Sequence, residues 1–430
     1  MTDVETTKQP RSRPWFALAI FLLLIPAGLT CWFEYVIWAE WTLEAPGSVW
    51  KDGRPIGADF VQFAAVAEAW RLGRIDEIYE SQDRQREFFT RAAHLWKPYA
   101  AILSFNYPPF TCWLLRPMAS LTYRQRWVAW TLLQFSFALA ALWCWRKELG
   151  PRAFGIVALG WFLSPPVCNT FILGHQAFMA LGIVSVVLFL LNHERDFLAG
   201  LALSLLLYKP PLGIVLGPML ILARRWRAVF GVAIGAVLLV AASLAVSLKA
   251  CQDYRGMAKE LLDLAFGWPD YYVKHFNLLA FVANYLEVKP YDFTWMHWSL
   301  VIVPCLMLFS LTAKAWCFPW RPGTSRWSAG ASAALLTTLV STPYLYSYDT
   351  MIAAVAGVYS VKTWNQRPEW HRWYILACVA IAGYFVAGDI TLMEQMQKLF
   401  GFRLQLAPLA FAAWAVLESL WAINQPTTRN

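Results

Sequence analysis

Five short motifs carry most of the chemically competent residues that interrupt the apolar runs of this chain: Gly57-Ala58-Asp59-Phe60, Asn106-Tyr107-Pro108-Pro109-Phe110, Leu173-Gly174-His175-Gln176, Tyr208-Lys209-Pro210-Pro211 and Tyr346-Ser347-Tyr348-Asp349. Asp59 is the sharpest candidate. A lone carboxylate beside an apolar surface is suited to take a proton from a hydroxyl as a general base. Its plainer role is to cap free N–H groups at a helix start. Lys209 stands in an otherwise apolar stretch, Leu198 to Leu222, broken by Pro210-Pro211. A lysine there either snorkels to an interface or binds an anion. Gly174-His175-Gln176 can cap and turn a helix, or offer an imidazole and an amide to sugar hydroxyls. Tyr107 precedes a Pro-Pro pair, which usually marks a helix start. Tyr344, Tyr346, Tyr348 and Asp349 follow Pro343, either as an aromatic belt or as binding residues ending in an acid. His275 and Asn277 are further binding candidates, with a weaker signal.

Cofactor chemistry has no footing in the sequence. There is no Walker pattern, and the six histidines form no HxxxH or HExxH set. Neither a metal nor another cofactor is expected. Eight cysteines contain no CxxC pair, so no structural disulfide is expected either.

The elements that must position these residues are membrane helices. Only 15% of residues are charged, against roughly 25% in soluble domains. Many aromatic residues, among them several of the 25 tryptophans, flank apolar runs, as in an interfacial belt. An all-α polytopic bundle of about twelve spans follows, at about 20 apolar residues per span and fewer where helices are broken or the bilayer thins. The spans are 15–37, 125–145, 153–167, 177–192, 196–208, 211–223, 228–248, 297–314, 328–343, 350–363, 373–390 and 404–423. One transmembrane domain, 15–423, then lies between tails at 1–14 and 424–430. It carries two outer loops, 38–124 and 249–296. The pair of spans around Lys209 is short, as for broken helices lining a cavity.

Basic groups fix the orientation. Lys8/Arg11/Arg13, Arg146/Lys147/Arg152, Arg195, Arg224/Arg225/Arg227, Lys314/Arg321/Arg326 and Lys362/Arg367/Arg372 all fall on one side. By the positive-inside rule that side is the cytoplasm. The same rule accounts for the net charge of +9, so no nucleic-acid partner is expected. The motifs then face the periplasm or exterior of a cell membrane. Pro108 to Leu121 could pass for another span, but it contains Arg116 and would break the charge rule. It reads as an interfacial helix. In the first loop, 59–72 and 82–95 read as amphipathic helices on the membrane surface, a platform for a substrate that partitions between lipid and water.

In order, the Asp-Phe after the first span, Tyr-Pro-Pro-Phe, Leu-Gly-His-Gln, Lys-Pro-Pro before Arg-Arg-Trp-Arg, and the late Tyr-Asp resemble glycosyltransferase family 87, over roughly 50–360. The resemblance implies a GT-C fold with its active site at the outer face. It also implies a polyprenyl-phosphate sugar donor, typically mannose, a glycolipid or glycan acceptor, and inversion without metal. Asp59 matches the family's first-loop catalytic aspartate, Lys209 its Lys-Pro motif and Asp349 its late aspartate. His175 is inserted where the family more often has Gly-Gln, which leaves the role of Gln176 open. Tyr107, His175, Gln176, Lys209, His275, Asn277, Tyr348 and Asp349 are expected to bind substrate. A transporter or flippase would use the same Lys and Asp as a pathway, but no second copy of the Lys-Pro-Pro break is present. A glycan ligase would carry its large loop late in the chain.

Overall fold

The structure, a computed structural model, describes residues 55–94, 105–267, 275–317, 321–363 and 406–425, with isolated positions between 28 and 50 and at 366 and 398. The spans expected at 15–37 and 373–390, the first tail and the second tail beyond 425 lie outside the described residues, apart from a few of these positions. Among the described residues the fold is all-helical, 81% helix with no strand.

The outer cap comes first. A 3-10 turn, Ala58–Phe60, leads into α1, Val61–Arg71. The sequence places this helix on the membrane surface. Instead every residue from Val61 to Ala69 is buried. Ala64, Ala65, Ala67 and Ala69 let neighbours close in on it, and a helix covered on all sides belongs to a core. Glu68 accepts from Arg71 at 2.6 Å and from the buried Arg126 at 2.9 Å. Burial alone would raise the Glu68 carboxyl, but the two arginine bonds bring it below its ordinary value. α2, Gln82–Ala92, does have two faces: Phe88, Phe89 and Ala92 are buried, while Arg84 and Arg91 pair with Glu87. The stretch from Pro108 is three short pieces, Pro109–Thr111, Cys112–Leu115 and Arg116–Met118, too short for any span. Arg116 covers the rings of Trp70 and Trp113 at 5.2 and 5.0 Å.

The bundle follows. α3, Tyr123–Glu148, starts at a capping box of Thr122 and Gln125. α4, Pro151–Phe162, and α5, Pro165–Leu173, meet at a 51° bend, where Pro165-Pro166 cannot continue the helix. α6 is Ala177–Asn192. α7, Asp196–Ser204, tightens into a 3-10 turn ending at Tyr208, and a second turn, Pro210–Gly213, leads to α8, Leu216–Leu222. Then come α9, Trp226–Val246, α10, Leu248–Gly267, and α11, Leu278–Leu286. The stretch expected as an outer loop, 249–296, is thus largely helical. α12, Trp295–Trp316, α13, Ser325–Ser341, α14, Ile352–Thr363, and α15, Leu406–Asn424, complete the described chain.

Among the described residues, four helices are long and apolar enough to cross a membrane: α3, α9, α12 and the Ala407–Asn424 part of α15. The bent pair α4–α5 makes a fifth if counted as one span; α6 and the segments flanking Lys209 are apolar but shorter. Val237 on α9 and Met307 on α12 are 66% and 67% exposed, so these faces need hydrocarbon around them. α7 and α9 pack with backbones in near contact. A Cβ on Gly200 would stand 1.9 Å from the Ala228 carbonyl, and one on Gly231 2.2 Å from that of Phe197. Small residues permit this close helix approach in membranes.

One basic residue, Lys362, and the His175 motif lie toward opposite ends of α6. At one end Glu148 accepts from Lys362 and from Asn192 at 2.8 and 2.9 Å, while Asn192 accepts from Gly323 N–H at 2.7 Å. His175 stands just before the other end of α6, roughly 24 Å away at 1.5 Å per residue.

Candidate active site

Two glycines bring the Asp59 turn and the end of α5 together. Gly57 has φ 75° and Gly174, the C-cap of α5, has φ 69°. These left-handed conformations favour glycine. A Cβ on Gly174 would stand 2.6 Å from Phe60 Cβ. Trp130 Nε1 donates to the Gly174 carbonyl at 2.8 Å and fixes the approach. The next residue, His175, then donates through Nε2 to Asp59 Oδ2 at 2.7 Å. The capping role open to Asp59 is not realised: Gly57 and Phe60 are the caps of the two elements, and neither element receives a side-chain cap bond.

The imidazole continues the site to Tyr348. Their ring centroids lie 3.6 Å apart at 29°. Burial, reinforced by the Asp349 charge, holds the Tyr348 phenol well above its ordinary pKa, so it stays neutral. The 3-10 turn Ser347–Met351 carries Asp349 behind it, and Tyr346 N–H donates to Asp349 Oδ2 at 3.2 Å.

Lys209 meets this turn from the helix break. Pro210 disfavours the helical conformation for the residue before it, and Lys209 has φ −143° and ψ 73°. Its Nζ donates to both Asp349 oxygens at 2.6 Å and lies 5.1 Å from the Tyr348 ring centre. Lys209 and Asp349 side chains are 5% and 1% exposed, whereas Asp59 is 22% exposed. Of the two carboxylates, Asp59 is the one an incoming molecule can reach. The anion expected at Lys209 is, in this state, the protein's own Asp349.

The remaining expected residues divide. Gln176 Nε2 donates to the Tyr107 hydroxyl, and Tyr208 O–H donates to the Gln176 carbonyl at 3.4 Å. Tyr79 O–H holds the Tyr107 carbonyl at 2.6 Å. Tyr107 and Gln176 therefore flank the Asp59–His175 pair. His275 sits behind the site: its Nδ1 accepts from Leu345 N–H at 3.0 Å and its ring lies 4.4 Å from that of Tyr346. Asn277 has a local task, capping α11 by accepting from Ala280 N–H at 2.7 Å. Tyr208 is a contributor that the candidate set lacks; it stands in a quoted motif, beside Lys209. Among the described residues no group of three or more His, Cys, Asp or Glu gathers to hold a metal.

The pattern is one of a partly exposed carboxylate held by an imidazole and a buried ion pair behind an aromatic wall. Neither a curated protein nor a solved structure matches the chain. The family model for glycosyltransferase family 87 matches residues 105–343. That range is narrower than the motif resemblance and leaves out Asp59, Tyr348 and Asp349, whose assignment rests on contact with His175 and Lys209. Since the match covers more than half of the sequence, the chain belongs to glycosyltransferase family 87.

Proposed function

We propose that the protein transfers a hexose, mannose in the first instance, from a polyprenyl-phosphate donor to a hydroxyl of a lipid or glycan acceptor, with inversion. The observation that carries this reading is the partly open Asp59 carboxylate, bonded on one oxygen to His175. Asp59 Oδ1 takes the acceptor's proton while Oδ2 keeps the imidazole N–H. The freed oxygen attacks the anomeric carbon, and the bond to the polyprenyl phosphate breaks. That leaving group departs as a stable anion, so the step asks for no Lewis acid. Lys209 stands as the cation for the phosphate, with Tyr107 and Gln176 as hydroxyl partners of a sugar.

The test uses purified full-length protein in detergent, a synthetic radiolabelled polyprenyl-phosphate mannose and total membrane lipid extract as acceptor. Label should enter a new glycolipid, equally with and without EDTA. Glucose and galactose analogues of the donor check the sugar. Absence of transfer from every donor, or a rate restored only by Mg²⁺ or Mn²⁺, overturns this mechanism.

The site is proposed to face the periplasm or exterior of the cell membrane, with the Glu148–Lys362 end in the cytoplasm. Single cysteines at Ser81 and Arg225, in a cysteine-free background, give the expected result. Impermeant maleimide labels the first in intact spheroplasts and the second only after lysis. The reverse pattern inverts the topology.

A further inference from the structure

Beneath His175, inside the bundle, lies a small cavity that the transfer reading leaves unused. Gln134 of α3 lines it, 3% exposed among the apolar residues of a membrane helix. Among the described residues neither its amide nitrogen nor its oxygen has a hydrogen-bond partner, and the same holds for His175 Nδ1. A buried amide without a partner is costly, and an intramembrane polar residue is a functional candidate by default. His175 and Thr170 line the same cavity, whose other walls include Trp130, Phe171 and Phe178. Its volume is about 10 Å³, the size at which a cavity just admits one water, given two to four polar partners.

The donors and acceptors close around one such water. His175 Nε2 faces a carboxylate, so it carries the hydrogen if Asp59 is to stay an unprotonated base. In a neutral imidazole Nδ1 is then an acceptor. The water donates one hydrogen to Nδ1 and the other to Thr170 Oγ1, whose own hydrogen goes to the Pro166 carbonyl at 2.8 Å. Gln134 Nε2 donates to the water. When His175 gains a second proton, the water turns to accept from Nδ1 and donates to Gln134 Oε1. An amide can serve both states, which no hydrophobic residue can.

We infer that Gln134 is a positioning residue that sets the tautomer of His175 through one buried water, and so keeps Asp59 in its basic form. This rests on the reading of Asp59 as base. The experiment therefore reads the imidazole directly as well as the rate. Full-length protein with ¹⁵N-labelled histidine is placed in lipid nanodiscs, and His175→Gln identifies the His175 resonances. In the wild type Nε2 is protonated and Nδ1 is a hydrogen-bonded acceptor. Gln134→Met keeps the volume and removes both polar atoms. It shifts the Nδ1 resonance, mixes the tautomers and lowers kcat about tenfold, as expected for one neutral hydrogen bond, with donor KM unchanged. Gln134→Asn keeps an amide at a longer reach: it moves Nδ1 less and recovers most of the rate. Unchanged His175 resonances in Gln134→Met, or a wild-type kcat, overturn the inference. If Gln134→Met does not fold, an unmoved Nδ1 resonance in Gln134→Asn does so. Failure of the base reading shows separately, as an active Asp59→Asn enzyme whose His175 tautomer still depends on Gln134.

Discussion

Asp59→Asn lowers kcat by about 10²–10⁴-fold, the usual contribution of general-base catalysis, and leaves donor KM nearly unchanged. The substitution is close to isosteric. The amide oxygen still accepts from His175 Nε2, so the geometry of the pair survives and only the proton acceptor is lost. No helix end depends on Asp59, since neither Ala58–Phe60 nor α1 takes a cap bond from it. Stability should therefore move little, because the amide oxygen keeps the bond to His175. Loss of kcat and kcat/KM together identifies an interaction made only in the transition state. Steady-state kinetics with the synthetic donor, alongside thermal unfolding in the same detergent, separates these terms. A near wild-type kcat would send the search for the base elsewhere. Asp349 would be next, but at 1% exposure it would first have to part from Lys209.

Much of this site was legible because local rules are strong at its corners. Pro210-Pro211 forces a break, and the break delivers Lys209 to the interior. Gly174 ends α5 and turns the chain into His175. Of the one-sided basic clusters, Lys362 meets Glu148 and Asn192 at the end of α6 away from His175. What stayed hidden is non-local. Nothing in the spacing pairs Asp59 with His175, or Lys209 with Asp349 across 140 positions. The same blindness misplaced α1. Phe60, Phe63, Ala64 and Ala67 give a helical stripe that reads as a surface helix, yet Gln62 and Glu68 are buried too. Glu68 finds its partner in Arg126, 58 positions on. α10 escaped notice for the opposite reason: Lys249, Asp253, Arg255 and Lys259 make it look like a loop, although Ala250 and Met257 are buried. Asn277 looked chemical only because a cap and a ligand use the same side chain.

The Lys209–Asp349 pair should behave as two things at once, and a double substitution separates them. Lys209→Met leaves Asp349 buried without its cation. Breaking a buried pair from one side costs about 3–5 kcal/mol, whereas replacing both partners is often neutral. Lys209→Met alone should therefore unfold at a distinctly lower temperature. Lys209→Met combined with Asp349→Asn should recover most of that loss, because the amide oxygen still accepts the Tyr346 N–H now bonded to Asp349 at 3.2 Å. Activity should not recover with it. The same backbone bond leaves Asp349 with a partner if the Lys209 ammonium turns to an arriving phosphate. The ammonium then opposes the charge gathering on the leaving group. A hydrogen bond to a charged group is worth about 1.5–3 kcal/mol, or roughly ten- to a hundredfold in rate at 1.4 kcal/mol per decade. The double variant should show that loss in donor kcat/KM, shared between kcat and KM. Lys209→Arg should recover some function, since it keeps the charge but alters the geometry. If the double variant is as active as the wild type, Lys209 does not touch the donor. It then serves only to hold the 347–351 turn and, through Tyr348, the imidazole that Asp59 needs.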